Sequence, residues 1–102
     1  MKSYLISDNM DTFIGMRMAG IEGIVLHEKE EIIRKIKELK KDKEIGIIIV
    51  TEKIGLLILD EVNKIKLSKG RIILIEIPDR HGMRGGSDSI LRYVKEAIGL
   101  KL

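Results

Sequence analysis

Apolar residues gather in four short runs, Tyr4-Leu5-Ile6, Ile24-Val25-Leu26, Ile45 through Val50 and Arg71 through Ile77, and each is followed by a segment able to form a helix. This strand-then-helix rhythm predicts a parallel sheet with helices packed on it. Met1 to Ser7 reads as the first strand. Asp8, Asn9 and Asp11 then offer several caps for a short helix from about Thr12 to Ala19, with Gly20 as its left-handed stop. Gly15 inside that helix costs about 1 kcal/mol relative to alanine, which points to close packing against its backbone, most simply by the sheet. The second helix, Glu28 to Lys41, carries Ile32, Ile33, Ile36 and Leu39 on one stripe. Its wet side offers Glu30 with Arg34 and Glu31 with Lys35 at i,i+4 spacing, and reads as a solvated face.

Ile45 to Thr51 is continuously apolar, as a central parallel strand covered on both faces requires. The spacing of Ile54, Ile58, Val62 and Ile65 predicts one unbroken helix over about Lys53 to Ile65, with Leu56 thrown to the far side and Leu59 to the margin. Exposed leucines are ordinary, although Leu56 could also touch a partner. Arg71 to Ile77 is the last strand, stopped by Pro78, the chain's one proline. Beyond it lie a glycine-rich, basic loop over 79–86, expected to be mobile, and a closing helix over about 87–98 that starts at Ser87 or Asp88 and ends at Gly99.

Right-handed crossovers with a short first connection and two in the opposite direction give strand order 2-1-3-4. The predicted architecture is therefore one α/β domain over residues 1–102: a four-stranded parallel sheet with helices on both faces, a truncated flavodoxin- or receiver-like arrangement. Helices two and three share one face, helices one and four the other. The fourth strand is an edge whose Ile72-Ile73-Leu74-Ile75 invites pairing unless covered.

A chain of 102 residues, 44% hydrophobic and 34% charged, suits a single domain with its own core. No apolar run approaches the roughly 20 residues of a membrane span. Asp8 interrupts the first run at once, so no secretory leader is expected, and a cytoplasmic location is. The absence of cysteine removes disulfides, thiolate metal sites and cysteine nucleophiles. Nineteen basic and sixteen acidic residues leave a net charge of +3, too small and interspersed for a nucleic-acid binder, and Tyr4, Phe13 and Tyr93 are too scattered to stack bases.

Ligands of such folds bind at the carboxyl ends of the strands. Those turns carry little catalytic chemistry. Gly15-Met16-Arg17-Met18-Ala19-Gly20 has the glycine spacing of a phosphate loop but continues with Ile21 and Glu22, and no G-x-G-x-x-G follows the first strand. Backbone N–H groups before Ser87, with Arg80 and Arg84, could hold an anion, against the plainer reading of a surface loop and an ordinary cap. His27 and His81 lack metal-ligand spacing. Asp8 and Asp11 resemble the acidic pair of a phosphorelay receiver, but Val50-Thr51-Glu52 stands where the phosphoacceptor aspartate would be, and there is no fifth strand. A phosphocarrier built on His81 is the remaining alternative of that kind. No catalytic, cofactor-binding or metal-binding residue and no cofactor is expected.

The segment Gly15-Met16-Arg17-Met18-Ala19-Gly20-Ile21, the strand end Ile77-Pro78, and Asp88-Ser89-Ile90-Leu91-Arg92 leading to Ala97-Ile98-Gly99 together resemble the family of F subunits of V-type (A/V-type) ATP synthases. The resemblance covers nearly the whole length. It implies a parallel α/β subunit of the central stalk without an active site of its own, bound to the coiled-coil shaft subunit and through it to the catalytic head, with no nucleic-acid partner and no membrane insertion. It would be cytoplasmic and peripheral to the membrane, in a complex that couples ATP synthesis or hydrolysis to proton or sodium transport. It also implies a last helix that moves. By motif position, Arg17 and Gly20 on the first helix and Ser89, Arg92 and Tyr93 on the last form the expected shaft-binding face.

Overall fold

The computed structural model describes residues 1–78, and the expectations for loop 79–86, helix 87–98, Arg80, His81, Arg84, Ser89, Arg92 and Tyr93 fall outside them. Strand β1 (Lys2–Ser7) is followed by helix α1 (Met10–Met18), β2 (Glu22–Val25), α2 (Lys29–Lys41), β3 (Ile45–Thr51), α3 (Glu52–Leu57), α4 (Leu59–Leu67) and β4 (Ile73–Ile77). The four strands form one all-parallel sheet in the order β2-β1-β3-β4. This is the order that crossover handedness predicts.

The two-residue period of each strand divides the core into two layers. Ile6, Ile48, Val50 and Leu74 face the side covered by Ile32, Ile36 and Leu39 of α2 together with Ile54, Ile58, Val62 and Ile65. Leu5, Ile49 and Ile77 face the other side, where Met16 of α1 is fully buried among them and Phe13 and Ile21 pack at the margin. Seven residues of β3 are almost continuously buried, as a central strand with both faces covered must be.

The predicted third helix is two helices. At Ile58 the backbone leaves helical geometry, with φ −122° and ψ 38°, so α3 ends and α4 begins around it. The predicted stripe survives the break. Ile54, Ile58, Val62 and Ile65 are all buried, and the bonds from Ile58 N–H to the Ile54 carbonyl and from Val62 N–H to the Ile58 carbonyl keep the turn in phase. Leu56 and Leu59 stand out at 69% and 51% exposure, joined by Leu57, and with Ile33 and Lys29 they border a shallow groove between α2 and the break.

Smaller departures have local causes. α1 starts two residues before Thr12 because Asn9, of the three candidate caps, accepts the Thr12 N–H at 2.8 Å. Gly20 closes the helix at φ +85°, in the left-handed region. Gly15 is buried on the inner face of α1 with Thr12 and Met16. β2 is paired from Glu22, earlier than the apolar run suggests, because Gly23 lies directly opposite Leu5 and lets the two strands close up. β4 begins at Ile73, and the exposed Arg71 before it reaches back toward the end of α2 instead of extending the strand. Its guanidinium donates to the carbonyls of Lys40, Asp42 and Ile45, occupying oxygens that the end of α2 leaves open.

On α2, Lys35 pairs with Glu38 at 3.3 Å and not with Glu31, because its ammonium sits 5.0 Å over the Tyr4 ring. Desolvation there pulls the Lys35 pKa down, yet the hydrogen bond to Glu38 and the electrostatic pull of Tyr4 outweigh it and hold the group above its ordinary value.

Candidate functional site

In a sheet of this order the connections after β1 and β3 leave in opposite directions, and the crevice between their carboxyl ends is where a ligand would enter. Level register between the two strands, with Ile6 opposite Val50, brings Ser7-Asp8-Asn9 beside Thr51 across forty-three residues of sequence. His27, after β2, completes the group.

These side chains are engaged with one another. The Thr51 hydroxyl donates to Asp8 Oδ1 at 2.6 Å, and the hydroxyl oxygen also accepts the Ile54 N–H as the N-cap of α3. Ser7 Oγ donates to the Asn9 carbonyl at 2.8 Å and accepts the Asn9 N–H at 3.0 Å, a closed turn that aims the Asn9 amide oxygen at Thr12. The His27 Nε2 lies 3.0 Å from the Asp8 carbonyl oxygen, and the Leu26 N–H donates to the Ser7 carbonyl, which ties the end of β2 to that of β1. Ser7, Thr12 and Thr51 are buried, and no buried polar side-chain atom among the described residues lacks a hydrogen-bond partner.

The arrangement is a brace that starts two helices and locks three strand ends. Asp8 and Asp11, read together from sequence, have separate places in it: Asp8 accepts from Thr51, while Asp11 lies in the first turn of α1, where the helix dipole favours a negative charge. Among the described residues no three His, Cys, Asp or Glu side chains come together as metal ligands. Replacing Thr51 by valine keeps the shape, removes both the bond to Asp8 and the cap of α3, and is expected to lower stability by about 1–3 kcal/mol in urea unfolding.

Of the expected shaft-binding residues, Arg17 and Gly20 are exposed at the carboxyl-terminal end of α1. The sequence reading missed their neighbours. Met10, Ile14 and Met18 recur every fourth residue along α1 and all face outward, opposite Thr12, Gly15 and Met16. The signal was there to be read: Met10, Ile14 and Met18 repeat at i, i+4 and i+8, a second apolar row on α1 beside the exposed Asp11 and Arg17.

Comparison with known proteins gives a consistent result. A family model described as ATP synthase (F/14-kDa) subunit matches residues 4–94. The A-type ATP synthase F subunit of Methanocaldococcus jannaschii is 33% identical over 103 residues, covering 100% of this chain and 99% of that protein. The corresponding A-type ATP synthase F subunits of Methanosphaera stadtmanae and Thermococcus kodakarensis are 37% identical over 94 residues (90% of this chain, 88% of the relative) and 30% identical over 107 residues (100% and 98%).

Proposed function

The chain belongs to the family of ATP synthase (F/14-kDa) subunits and is part of an ATP synthase, and we propose that within that V-type rotary complex it is a non-catalytic part of the central stalk. In this reading it grips the coiled-coil shaft subunit and, through it, helps couple ATP synthesis or hydrolysis in the head to proton or sodium transport. It works in the cytoplasm, peripheral to the membrane, and takes no cofactor and no nucleic acid. No helix among the described residues is long and apolar enough to cross a bilayer, which is consistent with that placement.

The observation that carries the proposal is the closed brace at the strand ends. Asp8, Thr51, Ser7 and Asn9 use their hydrogen-bonding capacity on each other and on helix starts. A catalytic crevice needs such groups turned toward a reactant. What the molecule offers instead is surface: Arg17, Gly20 and the outer side of α1, with Ser89, Arg92 and Tyr93 assigned to the same face by motif position alone.

Co-expression of the full chain with the shaft subunit of its own ATP synthase tests the proposal. A stable pair at micromolar concentration is expected, as for a standard interface of roughly 800 Å² per partner. Failure of the two to co-purify overturns it, and so does turnover of ATP by the isolated chain.

A further inference from the structure

Residues 40–44 and 64–71 hold seven cations and two acids, whereas the other described residues hold seven cations and eleven acids. Two separate segments carry this charge, and the fold gathers it. α2 ends just before β3 and α4 just before β4, and because those strands are parallel neighbours both connections lie at the amino-terminal end of the sheet. A cleft of about 430 Å³ opens there between Lys40, Lys64 and Arg71, with Ile65 and Ile72 as its apolar lining. We propose that this cleft is the docking site for an acidic segment of a partner protein, its carboxylates on the lysine rim and an apolar side chain against Ile65 and Ile72.

The charge at this end is more than the chain needs for itself. Lys64 pairs with Glu61, Lys66 with Glu76, and Glu44 is taken by Lys2, while Lys40, Lys41, Lys43 and Lys69 have no ion-pair partner among the described residues. Arg71 adds a fixed cation, since the groups that hold its guanidinium are neutral backbone carbonyls. Basic residues after a helix ordinarily offset its dipole, but α2 and α4 each end with the equivalent of only roughly half a negative charge. Asp42 contributes one carboxylate, engaged with the Glu44 N–H. A surplus of positive charge therefore faces outward around the cleft, and it calls for an acidic partner.

Shape decides among acidic ligands. A small inorganic anion needs several N–H donors converging on one point, and the Arg71 guanidinium is turned to the carbonyls of α2 and β3. Among the described residues no aromatic ring lines the cleft to stack a nucleic-acid base. A bilayer surface is met by a row of protruding apolar side chains, whereas here Ile65 is 5% exposed, Ile72 is half-buried and α4 ends on a single protruding Leu67. A peptide segment uses both parts of the cleft at once. Its carboxylates meet the lysines, which reach out on flexible stems, and one of its apolar side chains covers the isoleucines.

The test is fluorescence titration of the full chain with a labelled peptide of repeating Glu-Glu-Leu at low ionic strength, beside peptides of repeating Gln-Gln-Leu and Glu-Glu-Ser. Two variants are titrated in parallel. Lys40→Glu/Lys69→Glu alters the cleft, and Lys29→Glu/Lys53→Glu makes the same change in net charge in the first turns of α2 and α3. The unaltered chain is expected to bind Glu-Glu-Leu, the cleft variant about tenfold or more weaker, and the control variant within about threefold of the unaltered chain. Each of the other peptides should bind weaker than Glu-Glu-Leu by about fivefold or more. Melting temperatures within about 3 °C of the unaltered chain establish that the variants fold, and Lys40→Gln/Lys69→Gln serves if the glutamates prevent folding.

Equal weakening in both variants overturns the assignment, since net charge and not this cleft would then hold the peptide. Equally tight binding of Glu-Glu-Ser overturns it too, because the isoleucines would have no part in recognition. So does the absence of binding by the unaltered chain. Vesicles of phosphatidylglycerol and phosphatidylcholine form the last arm: binding tighter than that of the peptide, and lost in the cleft variant, assigns the surface to a membrane instead. The cleft variant should still co-purify with the shaft subunit, so failure in any of these arms leaves the stalk reading standing.

Discussion

Ile58→Ala is expected to lower the unfolding free energy by about 2–5 kcal/mol in urea or guanidinium titration. The side chain is 1% exposed, sits at the junction of α3 and α4, and packs in the layer that also holds Ile54, Val62 and Ile65. Truncation therefore opens a cavity at a point where the backbone already departs from helical geometry. Neighbours calibrate the reading. Leu56→Ala, one of the outward leucines beside the same junction, should change stability by less than about 0.5 kcal/mol. A similar loss at both positions would show that the break is not pinned by the buried isoleucine.

Gly23→Val is expected to be destabilising by about 1–3 kcal/mol, against the general preference of strands for valine. A Cβ at position 23 would come within 2.8 Å of the Leu5 carbonyl oxygen and 2.9 Å of the Leu5 Cβ. The obstacle is backbone in a strand held on both sides, so it has little room to yield. β2 must then move away from β1 or lose its pairing, and amide hydrogen exchange at Ile24 and Leu26 should accelerate together with the drop in stability. Unchanged exchange and unchanged stability would show that the strands separate freely there.

Most of the architecture was readable because it follows from periodicity and chirality. The four runs supplied the strands, right-handed crossovers with a short first connection and two in the opposite direction gave the order, and the stripe of α2 identified its buried face through Ile32, Ile36 and Leu39. The break at Ile58 was not readable, because a buried isoleucine at the expected phase looks the same whether the helix continues or restarts. Gly55, one turn ahead, is the one local sign, since glycine weakens a helix.

The brace was harder still. Asp8 meets Thr51 only because β1 and β3 end level, which depends on register across the sheet and on no local pattern. Local sequence paired Asp8 with Asp11 for the same reason that it paired Glu31 with Lys35: spacing is visible, and the competing partner on another element is not. For Lys35 that competitor is Tyr4 on β1, and Glu38 completes the arrangement. The outward ridge of α1 is the opposite case, legible in Met10, Ile14 and Met18, but easily absorbed into a search for core positions.

Arg71 has a mechanical consequence. Its guanidinium fastens the entrance of β4 to the carbonyls at the end of α2 and the start of β3, while Pro78 marks the exit of the same strand at the opposite end of the sheet. A tug on the exit along the strand loads every β3–β4 bond in shear, simultaneously with the clamp behind them. Peeling from the entrance would open those bonds one after another, and the clamp stands at that end. The edge strand is thus toughest in the direction from which the remaining residues of the chain can pull on it.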